Sequence, residues 1–158
     1  MKNHLHCFAG SFLLIIIPII NCSRQVTVLP SAEVNFLSEG NGTITMRAIG
    51  TGNNQNDAFA DAEKNAFNIV LFRGLPGSMQ KMALIGTDES VQKTTFKDYF
   101  DEFYGNARYM TFVMSSIPES DLMMQKDSTV SIAVDIKINL NALRADLEQQ
   151  NIIRKFGF

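Results

Sequence analysis

Apolar and polar residues alternate for longest at 129–140, with Val130, Ile132, Val134, Ile136, Ile138 and Leu140 on one side and Thr129, Ser131, Ala133, Asp135, Lys137 and Asn139 on the other. Six matches to a period of two predict a half-buried strand. A second strand is predicted at 43–48, where Ile44, Met46 and Ala48 oppose Thr43, Thr45 and Arg47. Gly50 and Gly52 then predict a tight turn. Beyond it the period becomes helical: Ala58, Ala62 and Ala66 recur at i, i+4 and i+8, beside Phe59, Ile69 and Val70. Such a stripe, small at one end and bulky at the other, lets a helix sit close on a sheet. Its start is marked by an Asn among 53, 54 and 56 as N-cap and by Asp57 and Asp61 near the positive end of the helix dipole. Gly74 after Arg73, followed by Pro76, marks its stop.

Residues 89–104 predict a second amphipathic helix. Val91, Phe96, Phe100, Phe103 and Tyr104 lie on one side, Lys93, Lys97, Asp98, Asp101 and Glu102 on others, and Gly105 ends it. Residues 108–116 predict a strand with two apolar faces, Met110, Phe112 and Met114 on one and Tyr109, Thr111 and Val113 on the other. Such a strand is expected inside the sheet or against a partner. Residues 117–127, with Pro118, read as a connection. Residues 141–150 read as a short helix carrying Leu143 and Leu147, capped by Asn139 or Asn141, with the tail 151–158 packed onto the domain. A terminal Phe158 is also a feature of outer-membrane barrels, but those need roughly eight or more alternating strands. The expected fold is α+β, a two-layer sandwich of a mostly antiparallel sheet with helices packed on one face.

A chain of 158 residues, 46% hydrophobic and 19% charged, predicts one such domain. Its formal net charge of −2, with no basic cluster, argues against nucleic-acid binding. The N-terminus changes the picture more. Lys2 precedes an apolar run over 8–20, shorter than the about 20 residues a spanning helix needs, which is the pattern of an export signal. Ile19, Ile20, Asn21 and Cys22 resemble a bacterial lipobox, with Asn21 where Gly, Ala or Ser is usual. The expected organisation is therefore a lipoprotein signal peptide at 1–21, a lipidated Cys22 and tether at 22–41 with room for a short edge strand, and a single domain at 42–158. An uncleaved membrane anchor is the alternative. Acyl chains on Cys22 would hold firmly, since each buried methylene contributes about 0.8 kcal/mol. Fully extended, the tether reaches about 60 Å.

His4 and His6 fall in the expected signal peptide, so the mature chain has no histidine and no cysteine beyond Cys22. Cys7 and Cys22 do not look like a structural disulfide. Cys/His zinc sites, Ser-His-Asp triads and Cys-His pairs are thereby excluded together. Gly50-Thr51-Gly52 lacks the third glycine of a dinucleotide fingerprint. Asp57 with Asp61, and Asp98, Asp101 and Glu102, are explained by helix ends and solvated faces. Arg73 and Arg108 are candidates for anion contacts, although an arginine at a helix C-terminus also complements the dipole. With Tyr109, Met110, Phe112 and Met114 they form the expected binding surface, core filling being the commoner use of Met and Phe. No catalytic residue, metal ligand or cofactor is expected.

Residues 48–77, in the order strand, Gly-x-Gly, Asp57-Ala58, Asp61-Ala62, Asn65-Ala66 and an apolar stretch, resemble the small bacterial membrane lipoproteins grouped with the amino-terminal domain of the flagellar assembly protein T. The Leu-Phe-Arg-Gly-Leu-Pro-Gly segment at 71–77 and the terminal Ile-Ile-Arg-Lys-Phe-Gly-Phe are similar to uncharacterised lipoproteins of Bacteroidota. The resemblance implies a compact α+β domain, exported, serving as an envelope or assembly component without catalytic residues. No acidic run follows Cys22, which favours the periplasmic face of the outer membrane. The expectation is a lipid-anchored, non-enzymatic periplasmic domain with an envelope protein partner. The alternative is a binding module for a small ligand, peptide or glycan, with the 109–116 strand lining its cleft.

Overall fold

The computed structural model describes residues 34–154. The expected export signal, Cys22 and its lipobox, the tether up to residue 33 and the last four residues lie outside them. Within them the chain is α+β, an antiparallel sheet covered by helices. The sheet begins inside the segment expected as tether. Strand β1 (Val34–Gly40) forms a hairpin with β2 (Thr43–Gly52) across Asn41 and Gly42, both at positive φ, 51° and 72°. A two-residue hairpin turn of this hand needs φ > 0 at both positions, which Asn-Gly adopts readily.

Strand β5 (Val130–Asn139) is central, flanked by β2 on one side and by β3 (Val113–Pro118) on the other, in the order β1-β2-β5-β3. The two-residue β4 (Met123–Met124) continues the β3 side of β5. Pairing runs unbroken from Thr43 opposite Asn139 to Gly52 opposite Val130. That register puts Ile44, Met46 and Ala48 beside Ile138, Ile136 and Val134, all at 0% exposure. The other face carries polar residues, among them Arg47, bidentate on Asp135 at 2.6 and 2.8 Å.

Helix α1 (Gln55–Phe72) lies on the apolar face. Asn54 is its N-cap, accepting from the Asp57 N–H at 3.0 Å, and Gly74 at φ 82° follows its end. Ala58, Ala62 and Ala66 are fully buried. Gly50 and Gly52 lie inside β2 and make no turn. A Cβ on Gly50 would stand 2.0 Å from the Ala58 carbonyl oxygen and 2.3 Å from the Ala62 nitrogen. The glycine is therefore required by backbone-to-backbone approach, with the alanine stripe as its counterpart. Asp61 lies beyond the first turn of the helix, where its Oδ2 accepts from the Thr51 N–H at 2.9 Å and ties α1 to the end of β2.

The helix expected at 89–104 is broken in two places. α2 (Glu89–Thr95) buries no residue, and Phe96, at φ −113° and ψ 43°, leaves the helical region. α3 (Lys97–Phe100) then runs into a π-helical turn (Asp101–Gly105) that turns Phe103 fully inward. The strand expected at 108–116 is largely replaced by a 3₁₀ turn (Arg108–Phe112), and β3 begins only at Val113. Tyr109 and Phe112 stand three residues apart, so a 3₁₀ turn aligns them on one side, and both are buried. Met110 and Met114 face out. Met110, Phe112 and Met114 therefore share no face, contrary to the period-two reading. The connection at 117–127 contains the end of β3 and all of β4. α4 (Leu140–Gln149) is capped by Asn139, whose side chain accepts from the Ala142 N–H at 3.0 Å, and it buries Leu143 and Leu147.

Candidate functional site

Of the residues expected to form a binding surface, the structure buries Tyr109 and Phe112 and ties the half-buried Arg108 to a neighbouring helix. Arg108 is ion-paired with Asp146 on α4 and lies over the Tyr99 ring, 5.4 Å from its centroid. Tyr109 packs 5.5 Å from Phe67 and 6.2 Å from Phe103, ring centre to ring centre, and is 2% exposed. Burial, and then the neighbouring Glu63 carboxylate, push its hydroxyl up to about 12. Phe112 stacks on Phe103 at 6.0 Å. Arg73 is exposed at the end of α1, where its N–H donates to the Ile69 carbonyl. Only Met110 and Met114 belong to an exposed apolar surface in the region expected.

Further exposed apolar side chains lie along the same edge. Met110, Met114, Ile117, Leu122, Met123 and Met124, each 38–73% exposed, occupy β3, β4 and the segments beside them, along one edge of the sheet. They are six of the ten large apolar side chains that are exposed among the described residues, so the apolar surface is concentrated here. The backbone of this edge is interrupted. The register shifts between Val113 and Ser115, Pro118 ends β3, and β4 has two residues. A bulge, a proline and short strands all discourage pairing with a further strand. What this edge presents to its surroundings is side chains. On the neighbouring open face Arg47 also reaches Glu119 at 3.0 Å, giving the apolar edge a charged border.

A second feature is polar. Between α1 and the run from α2 to the π-helical turn lies a cleft of about 570 Å³, lined by Asp61, Lys64, Asn65 and Asn68 on one side and Lys93, Asp101 and Tyr104 on the other, with Phe100 at its base. Lys93 pairs with Glu89 at 2.7 Å and sits 4.6 Å from the centre of the Tyr104 ring. The Tyr104 hydroxyl donates to Asn68 Oδ1 at 2.6 Å, and burial, then the Glu89 charge, raises it well above the usual tyrosine range.

Sequence reasoning passed over Glu63. Its carboxylate is only 5% exposed and accepts from Ser116 Oγ at 2.6 Å, joining α1 to β3. The signal was its position: between Phe59 and Phe67 at i−4 and i+4, it interrupts an apolar side of the helix. Among the described residues no three His, Cys, Asp or Glu side chains come together as a metal site requires, and no helix is long and apolar enough to cross a membrane. Comparison with protein-family models, with curated proteins and with solved structures gave no match.

Proposed function

We propose that this chain is a lipid-anchored, non-enzymatic domain at the periplasmic face of the outer membrane, which docks onto a larger envelope protein through the β3–β4 edge. The observation that carries the docking is the gathering of six exposed apolar side chains on one broken edge. Four of them are methionines, whose unbranched, polarisable side chains adapt to a partner's contour. Fully burying one such side chain contributes about 1.5–3 kcal/mol. A few of them at the centre of an interface suffice for a stable contact. Anchoring rests on the sequence, on the apolar run at 8–20 and Cys22, and on the resemblance of 48–77 to envelope lipoproteins.

Cross-linking in intact cells, followed by purification from membranes and mass spectrometry, tests both parts. One near-stoichiometric envelope protein should accompany the chain, disappear in a Met123→Asp/Met124→Asp variant that still melts as the unaltered chain does, and be lost when Cys22→Ser releases the chain from the membrane. Recovery of the chain alone, or a partner indifferent to the two methionines, would refute docking at this edge.

A further inference from the structure

We infer that the cleft between α1 and the α2–α3 run binds a small zwitterion of the α-amino-acid class, independently of the apolar edge. The cleft leaves a defined set of hydrogen-bonding groups without partners among the described residues. Because Tyr104 donates to Asn68 Oδ1, the Asn68 amide is fixed with its N–H groups directed elsewhere, and these have no partner among the described residues. Asn65 is the converse. Its N–H groups go to the Ile49 carbonyl at 3.1 Å and Asp61 Oδ2 at 3.2 Å, leaving its Oδ1 as a free acceptor. Asp61 Oδ2 also takes the Thr51 N–H, and its Oδ1 remains open. Lys64 makes no ion pair among the described residues, whereas Lys93 is held by Glu89 and Asp101 by Lys97.

The free groups thus sort by polarity. Lys64 and Asn68, one turn apart on α1, are donors; Asp61 and Asn65, one turn apart in the adjacent row, are acceptors. The rows are offset by three residues, about 4.5 Å along the helix. A bare anion would meet the Asp61 and Asp101 carboxylates in the same cleft, and a bare cation would meet Lys64 and Lys93. A molecule carrying both charges a few bonds apart satisfies the two rows together: its carboxylate faces Lys64 and Asn68, its ammonium Asp61 and Asn65. Phe100 and Tyr104 supply the base against which an apolar side chain would rest, and the volume is in the range of small-ligand sites.

The test uses the full chain in detergent micelles, with thermal melting and isothermal titration against L-leucine and L-phenylalanine. A saturable rise in melting temperature is expected, following RT ln(1 + [L]/Kd). N-acetyl and amide derivatives, acetate and methylammonium should give none. Lys64→Gln should weaken binding by about tenfold or more, the loss expected for one charge-assisted hydrogen bond. It should leave the unliganded melting temperature in place. Asn68→Asp, which keeps the acceptor for Tyr104 and removes the free donor, should do the same to binding. No rise with either amino acid up to about 10 mM, an equal rise with the blocked or single-charge compounds, or binding untouched by Lys64→Gln would each overturn the inference.

Discussion

The contact between α1 and β2 and the edge formed by β3 and β4 are built in opposite ways. At the first, Gly50 and the alanines at 58, 62 and 66 bring two backbones together so closely that one added carbon has nowhere to go. At the second, the register slips, the strands are short, and the apolar side chains point into solvent. The contact of α1 with β2 is fixed by its own chain and leaves no room for a side chain at Gly50. The edge leaves apolar area uncovered, at a cost in solubility that a docking partner would remove.

The harshest way to break the comparison is at the tight side. Gly50→Val should destabilise the domain by more than about 4 kcal/mol, or prevent folding, because the obstructing atoms are backbone and cannot rotate away. Gly40→Ala is the control: nothing lies within 4 Å of its added carbon, and urea unfolding should place it within about 0.5 kcal/mol of the unaltered chain. Next in size is Phe103→Ala. The ring is fully buried among Phe67, Tyr104 and Phe112, and its loss should cost about 3–5 kcal/mol by the same measurement.

Alkaline titration probes the same cluster more gently. Tyr109 ionises near 10 when unfolded and at about 12 in the fold, so the folded state favours its neutral form. That contribution is complete below pH 10 and is lost as the pH rises from 10 through 12. Melting temperature should fall across this window, and Tyr109→Phe should flatten the fall. The smallest effect on stability belongs to the edge. Met123→Asp/Met124→Asp should shift unfolding by no more than about 0.5 kcal/mol per site, as exposed positions do. If the pair instead unfolds the domain, the edge is part of the core and the contrast fails.

What was legible in the sequence was whatever local chemistry decides. Strands β2 and β5, the alanine face of α1, its Gly74 stop and the presence of an Asn cap on α1 and α4 all follow from period or from a single residue's preference; which Asn caps, Asn54 and Asn139, was decided by the fold. The β1–β2 hairpin carried an equally local signal in Asn41-Gly42, which the reading of 22–41 as tether passed over. Residues 108–116 were ambiguous for a physical reason. Apolar residues at 109, 110, 112, 113 and 114 satisfy a period of two or of three, and the choice was made by packing on Phe103 and on Phe67, the latter far away in the chain. The candidate binding surface dissolved for the same reason: Arg108 has its partner in Asp146, 38 residues on. The polar cleft was invisible because its free donors and acceptors are defined only by which neighbours the other atoms have already taken.

The pairing of β2 with β5 has a kinetic consequence. Arg47 and Asp135, bonded across the middle of the sheet, are separated by 88 residues. Until 130–139 has been synthesised, β2 has only β1 beside it, and the apolar face over which α1 lies lacks its central strand. Sheets closed by such distant partners form slowly, because a long loop must be ordered before any contact rewards it. The β1–β2 hairpin therefore cannot be completed piecemeal into a sheet: its apolar face waits, uncovered on one side, for the arrival of 130–139.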